Sequence, residues 1–320
     1  MSAKRISVAL LATTALLWST LGIYIRLLAD DFAILQQVYL RIAFAALFVG
    51  VIGVRQIRWY LLAQWHLNDW LLIVVRAAFL YLLGVSMTSV AFINGQYTTI
   101  SLIKALPMTA VLGFLIFNER VTSKKLFYVS LSFIGAALLV VPDIVEVLSR
   151  SPDGEPDATN FGFTTFGYGE LMGFLSIICF AFSHGARKWQ RADINSWEST
   201  FFMFCATVPM MIIASWAAGD APLVLQNLTS TTVLFALTAS ALINAIGLII
   251  INYALGHLEI ALFNNIIALQ PAFGVVVGVL VYQDVITIWE GIGGLVIVAS
   301  IIGMNRIQTY ATDEENRDDK

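Results

Sequence analysis

Hydrophobic positions in this chain fall in long unbroken runs, and the polar residues gather between them. Ten runs approach the roughly 20 residues that a helix needs to cross a hydrocarbon core. They are residues 7–28, 33–54, 70–93, 96–117, 124–142, 167–187, 199–218, 230–253, 260–282 and 286–304. Continuous runs predict helices rather than barrel strands, because a helix satisfies its own backbone groups in lipid. Two stretches are alike. Ser101–Arg120 reads SLIKALPMTAVLGFLIFNER and Asn265–Asp284 reads NIIALQPAFGVVVGVLVYQD. Each has an early proline (Pro107, Pro271), a central glycine (Gly113, Gly278) and a late carboxylate (Glu119, Asp284), about half a chain apart. Such an offset marks a duplicated module.

The predicted fold class is therefore all-α integral membrane, with ten transmembrane helices in two inverted five-helix repeats. The first repeat covers 1–142 and the second 167–304. An acidic linker with Asp143, Glu146, Asp153, Glu155 and Asp157 fills 143–166, and an acidic tail fills 305–320. Five is odd, so the second repeat inserts upside down, an arrangement that places a binding site at the repeat interface near the midplane. Lys4, Arg5, Arg55, Arg58, Arg120, Lys124, Lys125, Arg187, Lys188 and Arg191 all fall on one side, which the positive-inside rule makes cytoplasmic. Both termini are then cytoplasmic in a multi-pass plasma or inner membrane protein. Lys4 and Arg5 ahead of an apolar run imitate a signal peptide, but the run continues through Ile25 with no small-residue cleavage site and reads as an uncleaved span.

Composition agrees. The chain is 59% hydrophobic and 12% charged, against about 45–50% and about 25% in soluble domains, and its mean hydropathy is +0.82. A net charge of −3 with no basic, aromatic-interleaved surface excludes nucleic acid as a partner. Cys179 and Cys205 sit inside apolar runs and read as packing residues. His66, His184 and His257 have no second ligand at useful spacing, so no metal is expected. No cofactor is implied, and no GxxxxGK[ST] loop points to ATP.

An ordered series of residues resembles the drug/metabolite transporter superfamily, in its EamA-like branch. It begins with Leu17-Trp18-Ser19-Thr20 and Arg26, continues with Arg41 in Leu40-Arg41-Ile42-Ala43, then Ala91, Pro107 and Glu119-Arg120. Gly247, Ala254, Pro271 and Asp284 stand at matching places in the second half, Asp284 where glutamate is usual. The resemblance implies a solute carrier, commonly an exporter of amino acids or other metabolites.

Charges inside hydrocarbon cost about 2.5–3.5 kcal/mol each on insertion scales, which makes each a functional candidate. Arg41 and Lys104 fall at a similar depth of about 10–12 Å by helix counting. Two cations at one level suggest a pocket for a carboxylate or phosphate, with structural pairing to carboxylates or carbonyls the alternative for Arg41. Tyr81, Gln96, Asn244, Asn252 and Asn264 are further candidate substrate contacts, each with a packing alternative. Glu170, His184 and Arg76 are candidates for gating or coupling. Arg76, near a helix end, is expected to snorkel to the headgroups. Pro107 and Pro271 predict kinks, and Gly274 with Gly278, like Gly169 with Gly173, predicts a seam of close helix approach.

The function expected is secondary-active or facilitative transport of small metabolites, with export of carboxylate-bearing solutes favoured by the two cations. Partners are the solute, a coupling proton, the bilayer and a second copy in a homodimer. A lipid flippase or scramblase and a structural membrane protein are the alternatives. A membrane-embedded enzyme lacks any clustered nucleophile, metal set or carboxylate pair in the sequence.

Overall fold

The computed structural model describes residues 3–108, 111–112, 123–139, 167–191, 193–255, 266–267, 269–289, 291–300 and 302–303. The predicted linker, the tail, Glu119 and Asn264 lie outside these. The described chain is helical, with no strand. Six helices are long and apolar enough to cross a membrane: Ile6–Leu27, Ile34–Ile52, Leu67–Asn94, Tyr168–Trp189, Ser196–Ala217 and Thr231–Leu255. They correspond to the first, second, third, sixth, seventh and eighth predicted spans. Shorter apolar helices, Leu126–Leu138, Leu269–Tyr282 and Gly291–Ser300, lie in the fifth, ninth and tenth.

Several spans are interrupted. The first is α1 (Ala3–Ser19) followed by α2 (Leu21–Leu27). At the junction the Ser19 and Thr20 hydroxyls donate to the Leu16 and Leu17 carbonyls at 2.6 and 2.7 Å, competing for the acceptors of the helical ladder. The second is α3 (Ile34–Ile52). The third is α4 (Leu67–Ala77), a π-helical stretch Ala78–Val85, and α5 (Ser86–Asn94). Nothing in the apolar pattern signals that π-helix, whose wider turn re-aims side chains such as Tyr81.

The fourth span corrects the expectation of one continuous kinked helix over 96–117. Its helix α6 (Tyr97–Ile103) ends at Lys104, a turn through Ala105 and Leu106 precedes Pro107, and helix resumes at Met108 and over 111–112. Proline has no N–H to give and disfavours helix in the residue before it, so the span breaks at Pro107 instead of bending through it. The remaining elements are α7 (Ser123–Leu139), α8 (Tyr168–Gly185), α9 (Ser196–Ala217), α10 (Thr231–Leu255), α11 (Leu269–Tyr282) and α12 (Gly291–Ser300).

Packing crosses between the halves. The second span lies on the seventh (α3 on α9), the third on the sixth (α5 on α8), the fourth on the ninth (α6 on α11) and the first on the eighth (α1 on α10). Exchanging each span for the one five places on leaves this set of pairs unchanged. The largest core cluster joins Val38, Ile42 and Ala45 of α3 to Met203, Phe204 and Met211 of α9 and Ala241, Ala245 and Leu248 of α10. At the α6–α11 crossing, a Cβ on Gly274 would strike the Ser101 hydroxyl and one on Gly278 the Thr98 hydroxyl. The Gly278 Cβ would also lie 3.0 Å from the Thr98 backbone nitrogen and 2.9 Å from Asp284 Oδ2. A neighbour that is backbone cannot rotate away.

Gly278→Leu is therefore expected to abolish most folded yield in detergent. Gly278→Ala should lose less, about 1–3 kcal/mol, the usual cost of overpacking a close contact. Wild-type yield and melting temperature for both would remove this contact as a constraint.

Candidate functional site

The break after α6 places Lys104 at the wall of a small, narrow cavity. Trp18 and Ser19 line it from the first span, Phe92 from α5, Ser101 and Lys104 from the fourth span, and Gln270 and Pro271 from α11. The site thus draws on both halves. Trp18 is held by Nε1 donating to the Ile243 carbonyl at 3.3 Å, with its indole against Gly247, which has no side chain to exclude it. Lys104 Nζ lies 5.4 Å from the ring centroids of both Phe92 and Phe180. Cation–π contact stabilises an ammonium modestly, about 0.5–2 kcal/mol, and no carboxylate pairs with Lys104 among the described residues.

A cationic and aromatic cluster bonds to Ser19 and Phe92 of the cavity wall. Arg26, at the end of α2, donates Nε to the Phe92 carbonyl at 2.7 Å and Nη2 to the Gly95 carbonyl at 2.8 Å. Its guanidinium sits 4.1 Å from the Tyr282 ring centroid, and Tyr282 stacks on Tyr97 with centroids 5.1 Å apart. The Tyr97 hydroxyl donates to the Ser19 carbonyl, beside the cavity. Asp284 Oδ2 accepts the Thr98 N–H at 2.9 Å, so the end of α11 caps the start of α6.

The structure does not bring Arg41 to this cavity. Arg41 is 2% exposed, and it donates to the Gln37 carbonyl at 3.2 Å and the Ser89 hydroxyl at 3.4 Å. Tyr81 is buried against Phe204 and stands within electrostatic reach of Arg41 and Arg76. Asn244 donates to the Ser240 carbonyl one turn back in α10. Gln96 is exposed ahead of α6, and Glu170 is half-buried in the first turn of α8. His184 stacks on Phe180, centroids 6.5 Å apart, one turn beyond the ring that Lys104 faces. Pro271 lines the cavity directly.

Arg76 requires a correction. It does not snorkel; it is fully buried. Its Nε donates to the Ser183 carbonyl at 3.0 Å, Nη1 to Gln190 Oε1 at 2.6 Å and the Ser199 hydroxyl at 3.0 Å, and Nη2 to Asn252 Oδ1 at 3.1 Å. Asn252 in turn donates to the Thr200 hydroxyl at 2.9 Å. One side chain from the first half thus ties α8, α9, α10 and the turn after α8. Helix counting gave its height but not the direction it faces, and acceptors from distant segments decide that direction.

Sequence reasoning also passed over Glu198. It is 1% exposed and accepts Arg58 Nε and Nη2, both at 2.9 Å, in a bidentate pair. Its backbone N–H donates to Asn195 Oδ1 while Oε2 accepts the Asn195 N–H, a reciprocal cap on α9. An Asn followed three residues later by Glu, ahead of an apolar run, was the available signal. Ser101 and Gln270, polar residues inside apolar runs, carried a similar one.

Residues 5–141 and 167–306 each match the model of the EamA-like transporter family. The chain belongs to that family, and so to a class of membrane transporters of small solutes. No curated protein matches it in sequence. Among solved structures, one titled only as the crystal structure of a protein is 16% identical, covers 93% of this chain and 96% of its own, and superposes with a TM-score of 0.62. At that identity the likeness concerns the fold.

Arg76→Ala removes four hydrogen bonds and takes from buried Asn252 Oδ1 the donor it has from Arg76, and a buried group left unsatisfied costs about 1–3 kcal/mol. A fall of several degrees in the melting temperature of the purified protein is expected. Arg76→Lys should restore little of it, because an ammonium cannot span acceptors on four segments as a guanidinium fork does. Full rescue by lysine would show that charge alone matters there.

Proposed function

We propose that this transporter exports small carboxylate-bearing solutes, amino acids above all, by alternating access around the Lys104 cavity. The observation that carries this reading is Lys104 itself. A cation stands at a helix break, in a cavity lined from both halves, with aromatic faces beside it and no described carboxylate to neutralise it. A solute carboxylate supplies the missing charge.

The Arg26–Tyr97–Tyr282 contacts, which join the two halves beside the cavity wall, support a protein that opens each end in turn. The helix pairing, unchanged when the halves are exchanged, supports inverted repeats that rock against one another. The bias of basic residues supports a cytoplasmic Arg58 end and cytoplasmic termini. Transport is secondary-active, driven by a coupling proton or by solute exchange, or facilitative, down the solute's own gradient.

In proteoliposomes given labelled amino acids, neutral drugs and cationic drugs, the amino acids should be transported best. Lys104→Ala should cut their initial rate at least tenfold while inserting and folding normally, and Lys104→Arg should keep part of it. A wild-type rate and concentration dependence in Lys104→Ala would sink the reading.

Orientation is tested in intact cells. Cysteines introduced as Asp153→Cys and Asp220→Cys should react with an impermeant thiol reagent, and Lys124→Cys should not. The reverse pattern overturns the assigned topology.

A further inference from the structure

The cluster around Arg76 is short of negative charge. Arg76 Nη1 and Arg187 Nη1 both donate to one neutral oxygen, Gln190 Oε1, at 2.6 and 2.9 Å. The remaining acceptors of the two guanidinium groups are neutral as well. They are the Ser183 carbonyl, the Ser199 hydroxyl and Asn252 Oδ1 for Arg76, and the Ile194 carbonyl for Arg187. Among the described residues no carboxylate pairs with either. Two cations converging on one amide oxygen repel each other, and the low dielectric of a buried site strengthens that repulsion.

Donors are also left over. Arg187 Nε and Gln190 Nε2 are closed off from solvent and have no acceptor among the described residues, and Gln190 is only 6% exposed. A buried donor without an acceptor costs about 1–3 kcal/mol. Turning the Gln190 amide over does not help, because its NH₂ group would then face both guanidinium groups. What the cluster lacks is an acceptor with negative charge.

We propose that Arg187, Gln190 and Arg76 form a binding site for a phosphate-class oxyanion, taken from a lipid headgroup or from solution. Its oxygens accept from Arg187 Nε and Gln190 Nε2, and its charge offsets the two guanidinium groups. Guanidinium suits this ligand because its fork matches two oxygens of one phosphate. Arg187 is half-buried, and exposed Lys188 and Trp189 follow it, a residue pair suited to the membrane–water interface. The cluster lies at the Arg58 end of the bundle, where Arg58 bonds to the Asp193 carbonyl, and side-chain movement of half-buried Arg187 admits the ligand. It shares no residue with the lining of the Lys104 cavity and does not depend on what that cavity carries.

The test uses the purified full chain in a neutral detergent, with thermal unfolding as readout. One arm titrates inorganic phosphate against chloride at matched ionic strength. The other compares micelles containing phosphatidylglycerol with micelles containing phosphatidylcholine. A saturable rise in melting temperature is expected in at least one arm. A rise with phosphate identifies a soluble oxyanion, and a rise with phosphatidylglycerol alone identifies a lipid headgroup. Arg187→Gln should raise the midpoint concentration at least tenfold, and Arg187→Lys should raise it less.

Gln190→Glu is the decisive variant, because it puts a carboxylate where both guanidinium groups already converge. Its melting temperature without added oxyanion should exceed that of the wild type, and the oxyanion should no longer raise it. Should Arg187→Gln fail to fold, Gln190→Glu decides alone. The site does not exist if neither oxyanion stabilises the wild type, if Gln190→Glu responds with the wild-type midpoint, or if Gln190→Glu melts below the wild type.

Discussion

Hydrocarbon does not solvate charge, so a cation within a membrane protein has to be met by the protein or by what the protein binds. Arg41, Arg76 and Lys104 are met in three ways. Arg41 is bonded to the carbonyl one turn back and to a neighbouring serine. Arg76 makes four hydrogen bonds to segments of the other half. Bonds to a charged group contribute about 1.5–3 kcal/mol each, so two or three of these offset an insertion cost of about 2.5–3.5 kcal/mol. Lys104 has only ring faces and a cavity. The least satisfied of the three cations faces the cavity.

The cavity depends on interrupted helices. An unbroken fourth span would turn every backbone group inward on itself and leave no irregular segment beside the cavity. The turn at 104–106 and the junction at Thr20 expose backbone where protein and cavity can satisfy it, the condition under which non-helical backbone is tolerated at membrane depth. Glycine makes the complementary contribution at Gly247 and at the α6–α11 crossing, where partner atoms occupy the space of a side chain. Breaks open the site, and close approaches hold its walls in register.

The two ends of the bundle are tied by different chemistry. At one, Arg26 stacks on Tyr282 and Asp284 caps α6, contacts that aromatic faces and a single N–H can exchange at small cost. At the other, Glu198 binds Arg58 with both carboxylate oxygens and also closes the cap of α9. The bidentate pair ties the loop before α4 to the start of α9, across the two halves. The Arg76 network lies beside it in the chain order, reaching Ser199 and Thr200 of the same helix.

By itself the sequence determined the environment, the helical class and the duplicated plan. Long apolar runs admit no other solvent and no other secondary structure, and a repeated proline–glycine–carboxylate order survives without any knowledge of packing. It also marked Lys104, because a lone charge in an apolar run stands out. What it could not decide was direction. Periodicity carries little information where a helix is apolar on all sides, so Arg76 was expected at the headgroups although it turns inward. Whether Arg41 and Lys104 share a pocket depends on which spans neighbour each other, and that follows from contacts between residues far apart in the chain. Trp18, Gln190 and Gln270 gained their roles in the same way: tertiary packing set an indole, an amide and a second amide beside partners that no local pattern connects to them.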